Sequence, residues 1–194
     1  MQNKKRISIK AIILVPVLIL GIIAIFSNAE AIANIRRVDA NAKEITDTYM
    51  VRISKLEQIQ RETQVIHRLA LSHIIATDME SMVNFVDTIR SEEELLDNGL
   101  EEYKQYLTEE DQEAYDQLIA SYDGMKYEIA DLLAFSAIGK KEDAYALANG
   151  KISDYSNSMQ KQIDTMVERA NEESSAATTQ LNETYQGALL RNSI

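Results

Sequence analysis

Residues Ala11 to Phe26 read AIILVPVLILGIIAIF, without a charged or polar side chain. No water-facing helix or strand tolerates such a run, so it has to be buried or placed in lipid. Extended back through Ile7, Ser8, Ile9 and Lys10, it gives about 20 residues, or about 30 Å of helix, enough to cross the hydrocarbon core of a bilayer. Pro16 lies inside the run, which membrane helices accept because neighbouring groups re-satisfy the freed carbonyl. Lys4, Lys5, Arg6 and Lys10 precede the first acidic residue, Glu30. The positive-inside rule then sets residues 1–6 in the cytoplasm, 7–26 across the cell membrane and 27–194 outside it. A cleaved signal peptide is the rival reading, since Ser27-Asn28-Ala29 offers small residues for cleavage. The apolar stretch is longer than the usual signal core of about 7–15 residues, however, and helical periodicity continues beyond it without a turn.

The remainder is expected to be all-α. The sequence has 6 Gly, one Pro, no Trp and 3 Phe, too few breakers for many short strands and too few rings for a sandwich or barrel core. Without cysteine there is no disulfide framework, thiolate metal site or Cys nucleophile. From residue 27 onward 16 basic residues face 31 acidic ones, a net of −15. That surface repels nucleic acid and anionic lipid headgroups, so no nucleic-acid partner is expected.

Four helices are predicted, over about 28–76, 79–107, 109–138 and 141–194. Ile35, Val38, Ala42, Ile45, Tyr49, Leu56, Ile59, Ile66 and Ala70 follow three–four spacing along the first. The second carries Met82, Val86, Ile89, Leu96, Leu100, Tyr103 and Leu107; its register passes through the capping-box match Ser91–Glu94, so no break is expected there. Thr77-Asp78-Met79-Glu80 has the form of the box that starts it. Thr108 is expected to cap the third helix, which carries Tyr115, Leu118, Tyr122, Met125, Ile129 and Leu132 and stops near Gly139. The fourth runs through Ile152, Tyr155, Met159, Ile163, Met166 and Ala170, with a kink or break open at Asn149-Gly150.

The first and fourth helices are about 70 Å long and the middle two about 40–45 Å. With short connections they must alternate in direction, giving an antiparallel up-down-up-down four-helix bundle extending from an N-terminal transmembrane helix. The two long helices are then the pair that reaches the bilayer, and Ala188–Ile194 reads as the approach to a second span.

No catalytic site, cofactor or metal site is expected. His67 and His73 lie about 120° apart around one helix and cannot share a metal. The acidic runs Glu92–Glu94 and Glu109–Asp111 lack the alternation of a calcium loop and read as solvated faces. Arg52, Glu93 and His73 interrupt the apolar seam, and the simplest expectation is that each sits at its edge and reaches water or a neighbour. Counting from the turns puts Thr63, His67, Arg90, Glu93, Tyr122, Lys126, Tyr155 and Met159 at one level. That mixture of hydroxyls, charges and apolar groups makes them candidate ligand-binding residues, with the fork of Arg90 suited to a carboxylate.

The pattern resembles the four-helix-bundle sensor domain of methyl-accepting chemotaxis proteins. The likeness rests on the start Lys4-Lys5-Arg6-Ile7-Ser8-Ile9-Lys10, the exit Ala31-Ile32-Ala33-Asn34-Ile35 and the turn Gly139–Tyr145, and it spans nearly the whole chain. It implies a homodimer that reads a small-molecule ligand, or a periplasmic or extracellular binding partner, and passes the signal across the membrane by displacing the fourth helix. The same module occurs in sensors of histidine kinases and diguanylate cyclases. A membrane-anchored helical stalk without a ligand is the remaining alternative.

Overall fold

The computed structural model describes residues 9–192. The basic start Lys4-Lys5-Arg6 and the terminal Ser193-Ile194 lie outside the described residues. Helix α1 spans Ile9–Glu44 with Pro16 inside it, and a π-helical turn at Ile45–Met50 leads into α2, Val51–Ile75. Helix α3 covers Met79–Tyr103 and finishes in a 3-10 turn, Lys104–Tyr106. Helix α4 covers Gln112–Ala137, α5 Lys141–Leu147 and α6 Ser153–Asn192, with a π-helical turn at Ala148–Ile152 between the last two.

The chain forms two compact units. One consists of residues 9–45 with 175–192, the other of 46–174. In the first, the large apolar side chains from Ile13 to Phe26 are exposed, and α1 is, among the described residues, long and apolar enough to cross a membrane.

The second unit is a four-helix bundle of α2, α3, α4 and the α5–α6 segment. Its contacts settle the directions. Lys55 of α2 meets Glu102 of α3, Asp97 of α3 meets Lys126 of α4, and Glu128 of α4 meets Lys151, so consecutive helices run antiparallel. Arg52 and Asp111 meet at one end while His73 and Ser136 meet at the other, so α2 and α4 run parallel. The predicted seam forms the core: Leu56, Ile59, Ile66, Leu96, Leu118, Met125, Leu132, Met159 and Met166 are all buried. Burial of such side chains contributes about 1.5–3 kcal/mol each and holds the helices together.

The ends of the helices follow local chemistry. Asp78, not Thr77, caps α3: it accepts from the Ser81 backbone N–H and hydroxyl, each at 2.8 Å, so the cap lies one residue later than the expected box. Those two bonds hold its carboxyl below the usual range. Thr108 does not cap α4 either. Its hydroxyl accepts from Asp111 N–H at 3.3 Å, within the turn, and the helix begins only at Gln112. Helix α4 ends as predicted: Gly139 has φ +80°, Gly139 N–H reaches Ser136 O and Lys140 N–H reaches Phe135 O, the double closure that needs a left-handed residue. At Gly150 the backbone leaves helical geometry inside the π turn, which resolves the question left open at Asn149-Gly150 in favour of a short separate piece, α5.

Candidate functional site

Charge is concentrated at the end of the bundle that carries the α3–α4 turn. Arg52 on α2 is 1% exposed and Asp111, just before α4, is fully buried. Arg52 donates through Nη2 to Asp111 Oδ2 at 2.8 Å and through Nη1 to Glu173 of α6. Arg169, one turn earlier on α6, donates to Asp111 Oδ1 at 2.9 Å and to the Glu110 carbonyl. Two guanidinium groups from different helices therefore share one carboxylate. Burial is the largest single influence and works against the Arg52 charge, but Glu173 and Tyr103 together outweigh it, so the group is held protonated even more firmly than a free arginine. Arg52 Nε and the Tyr103 hydroxyl, buried side by side, find no hydrogen-bond partner of good geometry, although the hydroxyl is close enough to favour the charge.

Arg52 and His73 reach neighbours as expected, but from buried positions and not from the seam edge, and the solvated reading of Asp111 does not hold. An arginine on the seam had to find a carboxylate at its own level, and the Glu109–Asp111 turn supplies one. That was the available signal for Asp111. Nothing comparable marked Arg169 and Glu173, which sit among other charges on α6.

The opposite end buries a neutral polar pair. His73 is 2% exposed and Ser136 is fully buried. The Ser136 hydroxyl donates to His73 O at 3.2 Å, so His73 Nδ1–H donates in return to Ser136 Oγ at 2.9 Å. One hydroxyl proton cannot serve both bonds, which assigns the tautomer. Burial, then the nearby Lys141 ammonium, pushes the His73 pKa down.

The candidate ligand residues separate into two groups. Arg90, Glu93 and Lys126 line a groove of about 210 Å³ between α3 and α4, floored by Ile89, Ile129 and Leu133. Arg90 is exposed and pairs with Asp87 at 3.9 Å. Glu93 is half-buried with no ion pair among the described residues; burial raises its pKa, against the pull of Lys126. Lys126 bridges Asp97 at 3.3 Å and Asp123 at 3.4 Å, 4.2 Å above the ring of Tyr122. Tyr122 itself is buried, with its hydroxyl donating to Glu93 O at 3.2 Å. A second α3–α4 groove, about 480 Å³, continues past Lys126 and is rimmed by Asp97, Glu101, Asp116 and Asp123.

Thr63, His67, Tyr155 and Met159 lie away from these grooves. Thr63 is buried and donates to Ile59 O within its own helix, and Met159 is core. His67 donates through Nε2 to Ala148 O at 3.0 Å, satisfying a carbonyl of the π turn. Tyr155 lays its ring against Gly124 of α4.

Over residues 4–185 the sequence matches the family model described as a four helix bundle sensory module for signal transduction, the MCP type. The chain belongs to that family. A comparison with curated proteins finds no match. In this sensory module the matched span takes in the apolar helix as well as the bundle, and the family's description is of signal transduction, not of catalysis.

Proposed function

We propose that this sensory module is the extracytoplasmic sensor of a bacterial methyl-accepting chemotaxis receptor. In this reading α1 spans the cell membrane with its N-terminus in the cytoplasm, the module works as a homodimer, and a small molecule or a binding partner is read outside. Output follows from displacement of α6. One observation carries it: the family match runs unbroken from the basic start through the apolar helix to residue 185. The exposed apolar surface of α1 supports the anchor, since water would not sustain a helix of that composition. For a directly bound ligand, the groove holding Arg90, Glu93 and Lys126 is the favoured place, because it pairs an exposed guanidinium, held only by a long surface ion pair to Asp87, and a half-buried carboxylate with an apolar floor.

Topology is tested first. In intact cells a Ser91→Cys variant should react with a membrane-impermeant maleimide and an Asn3→Cys variant should not; labelling of Asn3→Cys alone would overturn the orientation. Ligand binding is tested by a thermal-shift panel of amino acids, organic acids and nucleobases. A compound at 100 times its Kd should stabilise by about 2.7 kcal/mol. The shift should vanish in Arg90→Ala if this groove is the site. A panel without any shift would count against a direct ligand of these classes.

A further inference from the structure

Helices α4 and α6 meet along a seam whose steps match. Gln162 Nε2 donates to Gln117 Oε1 at 2.9 Å. Ser121 and Ser158 share a hydrogen bond at 2.8 Å between hydroxyls. Tyr155 lies on Gly124 so closely that a Cβ there would stand 2.5 Å from Cζ of the ring. Lys151 Nζ donates to Glu128 Oε1 at 2.7 Å, with Glu128 buried. Steps of four, three and four residues up α4 are answered by steps of four, three and four back along α6 and into the π turn before it, the rhythm of two antiparallel helices in one fixed register. Beyond Gln162 the seam closes on the charge cluster, where Arg169 holds Asp111.

The contacts of α2 with α6 and with the π turn before it are of another kind. Arg52–Glu173, Gln60–Gln160 and His67–Ala148 advance by eight and seven residues on α2 but by thirteen and twelve on the partner strand of chain. Long side chains absorb the mismatch, and no glycine brings the backbones close. These contacts tether; they do not index.

We propose that the α4–α6 seam is a register lock that makes α4 and the bundle portion of α6 one body, so that α6 moves within the bundle only together with α4, against α2 and α3. A slip of one turn, about 5.4 Å, is opposed at the charge cluster and at Gly124. In one direction it brings Arg169 beside Arg52; in the other it brings Glu173 beside Asp111. Either way the Tyr155 ring arrives over Ala120 or Glu128, whose Cβ atoms occupy the space that Gly124 leaves open. Buried like charges and overlapping atoms both cost far more than the hydrogen bonds that a slip would exchange. Arg52, bonded to both Asp111 and Glu173, is the one charged tie from α2 to the locked pair among the described residues. The inference goes beyond the receptor reading and does not depend on a ligand.

The sequence contains no cysteine, so disulfides can map the register in the full chain, in membranes. Ser121→Cys/Ser158→Cys should oxidise rapidly. Ser121→Cys/Gln162→Cys and Ser121→Cys/Asp154→Cys, each one turn out, should be slower by about tenfold or more, because the displaced Cα atoms exceed disulfide reach. Gly124→Ala, which removes the seat of the ring, should narrow that gap. Comparable rates for an offset pair and the in-register pair would overturn the lock, as would failure of the in-register pair to form. A second measurement tests the single body. Spin labels at Tyr127 and Lys161 should give a narrower distance distribution than labels at Arg61 and Lys161; equal or greater width at 127–161 would refute it.

Discussion

At one end of the bundle Arg52 is buried against Asp111 and Glu173; at the other, His73 is buried against Ser136 with Lys141 nearby. Both ends place a polar group where the seam would otherwise be apolar, and both satisfy it with a residue from a different helix. The difference lies in charge. The first end holds arginines, which stay protonated at any physiological pH, and joins α2, the α3–α4 turn and α6 in one network. The second holds an imidazole that is comfortable only while neutral. The same desolvation cost is met by ion pairing in one place and by loss of charge in the other. Acid should therefore loosen the two ends unequally.

The largest effect is expected from Asp111→Ala, which leaves two guanidinium groups without their shared acceptor and should cost about 3–5 kcal/mol. Denaturant unfolding of the full chain in detergent would show it. The double variant Arg52→Met/Asp111→Leu should recover much of that loss, and no recovery would mean that the network does more than neutralise itself. Between the ends, Gly124→Ala forces the Tyr155 ring away from α4 and should cost about 1–3 kcal/mol in the same assay.

The other end is sharpened by pH. The folded-state pKa of His73 is lowered from 6.5 by burial and then by Lys141. Below pH 6.5 the unfolded chain takes up the proton more readily than the folded one, so stability is lost as pH falls through that value toward the folded pKa. The melting temperature of the wild type should drop across this window, and His73→Gln should flatten the dependence. Hydrogen exchange should localise the acid effect to the α2–α3 and α4–α5 turns; uniform acceleration along the bundle would erase the contrast between the ends. The smallest change belongs to Lys126→Ala. Its pairs with Asp97 and Asp123 lie partly in water, and their loss should shift stability by about 0.5 kcal/mol or less.

Much of this architecture was legible in the sequence. The run Ala11–Phe26, the seam from Leu56 to Ala70, the Gly139 stop and the four-helix count each rest on local composition or on a 3.6-residue period, and neither needs the partner helix to be known. Local sequence was less able to set boundaries: the α3 cap moved from Thr77 to Asp78, and α4 began after Thr108, because several nearby residues could each serve. Level-counting from the turns brought Arg90, Glu93 and Lys126 into one groove but could not place Thr63 and Met159 relative to it. Level along a bundle is one coordinate, and the direction in which a side chain points around its helix is another.

The sequence alone determined that this chain has one span-length apolar helix followed by an acidic, helical sensory module, since hydrophobic period and charge sign are properties of the order of residues. Only the tertiary structure decided that Arg52 meets Asp111 and Glu173, that His73 is buried against Ser136, and that α4 and α6 share a register. Those pairings join residues 23 to 121 positions apart. Long-range partners of a buried charge are chosen by which surfaces the packed helices bring within about 3 Å, and no local pattern records that choice.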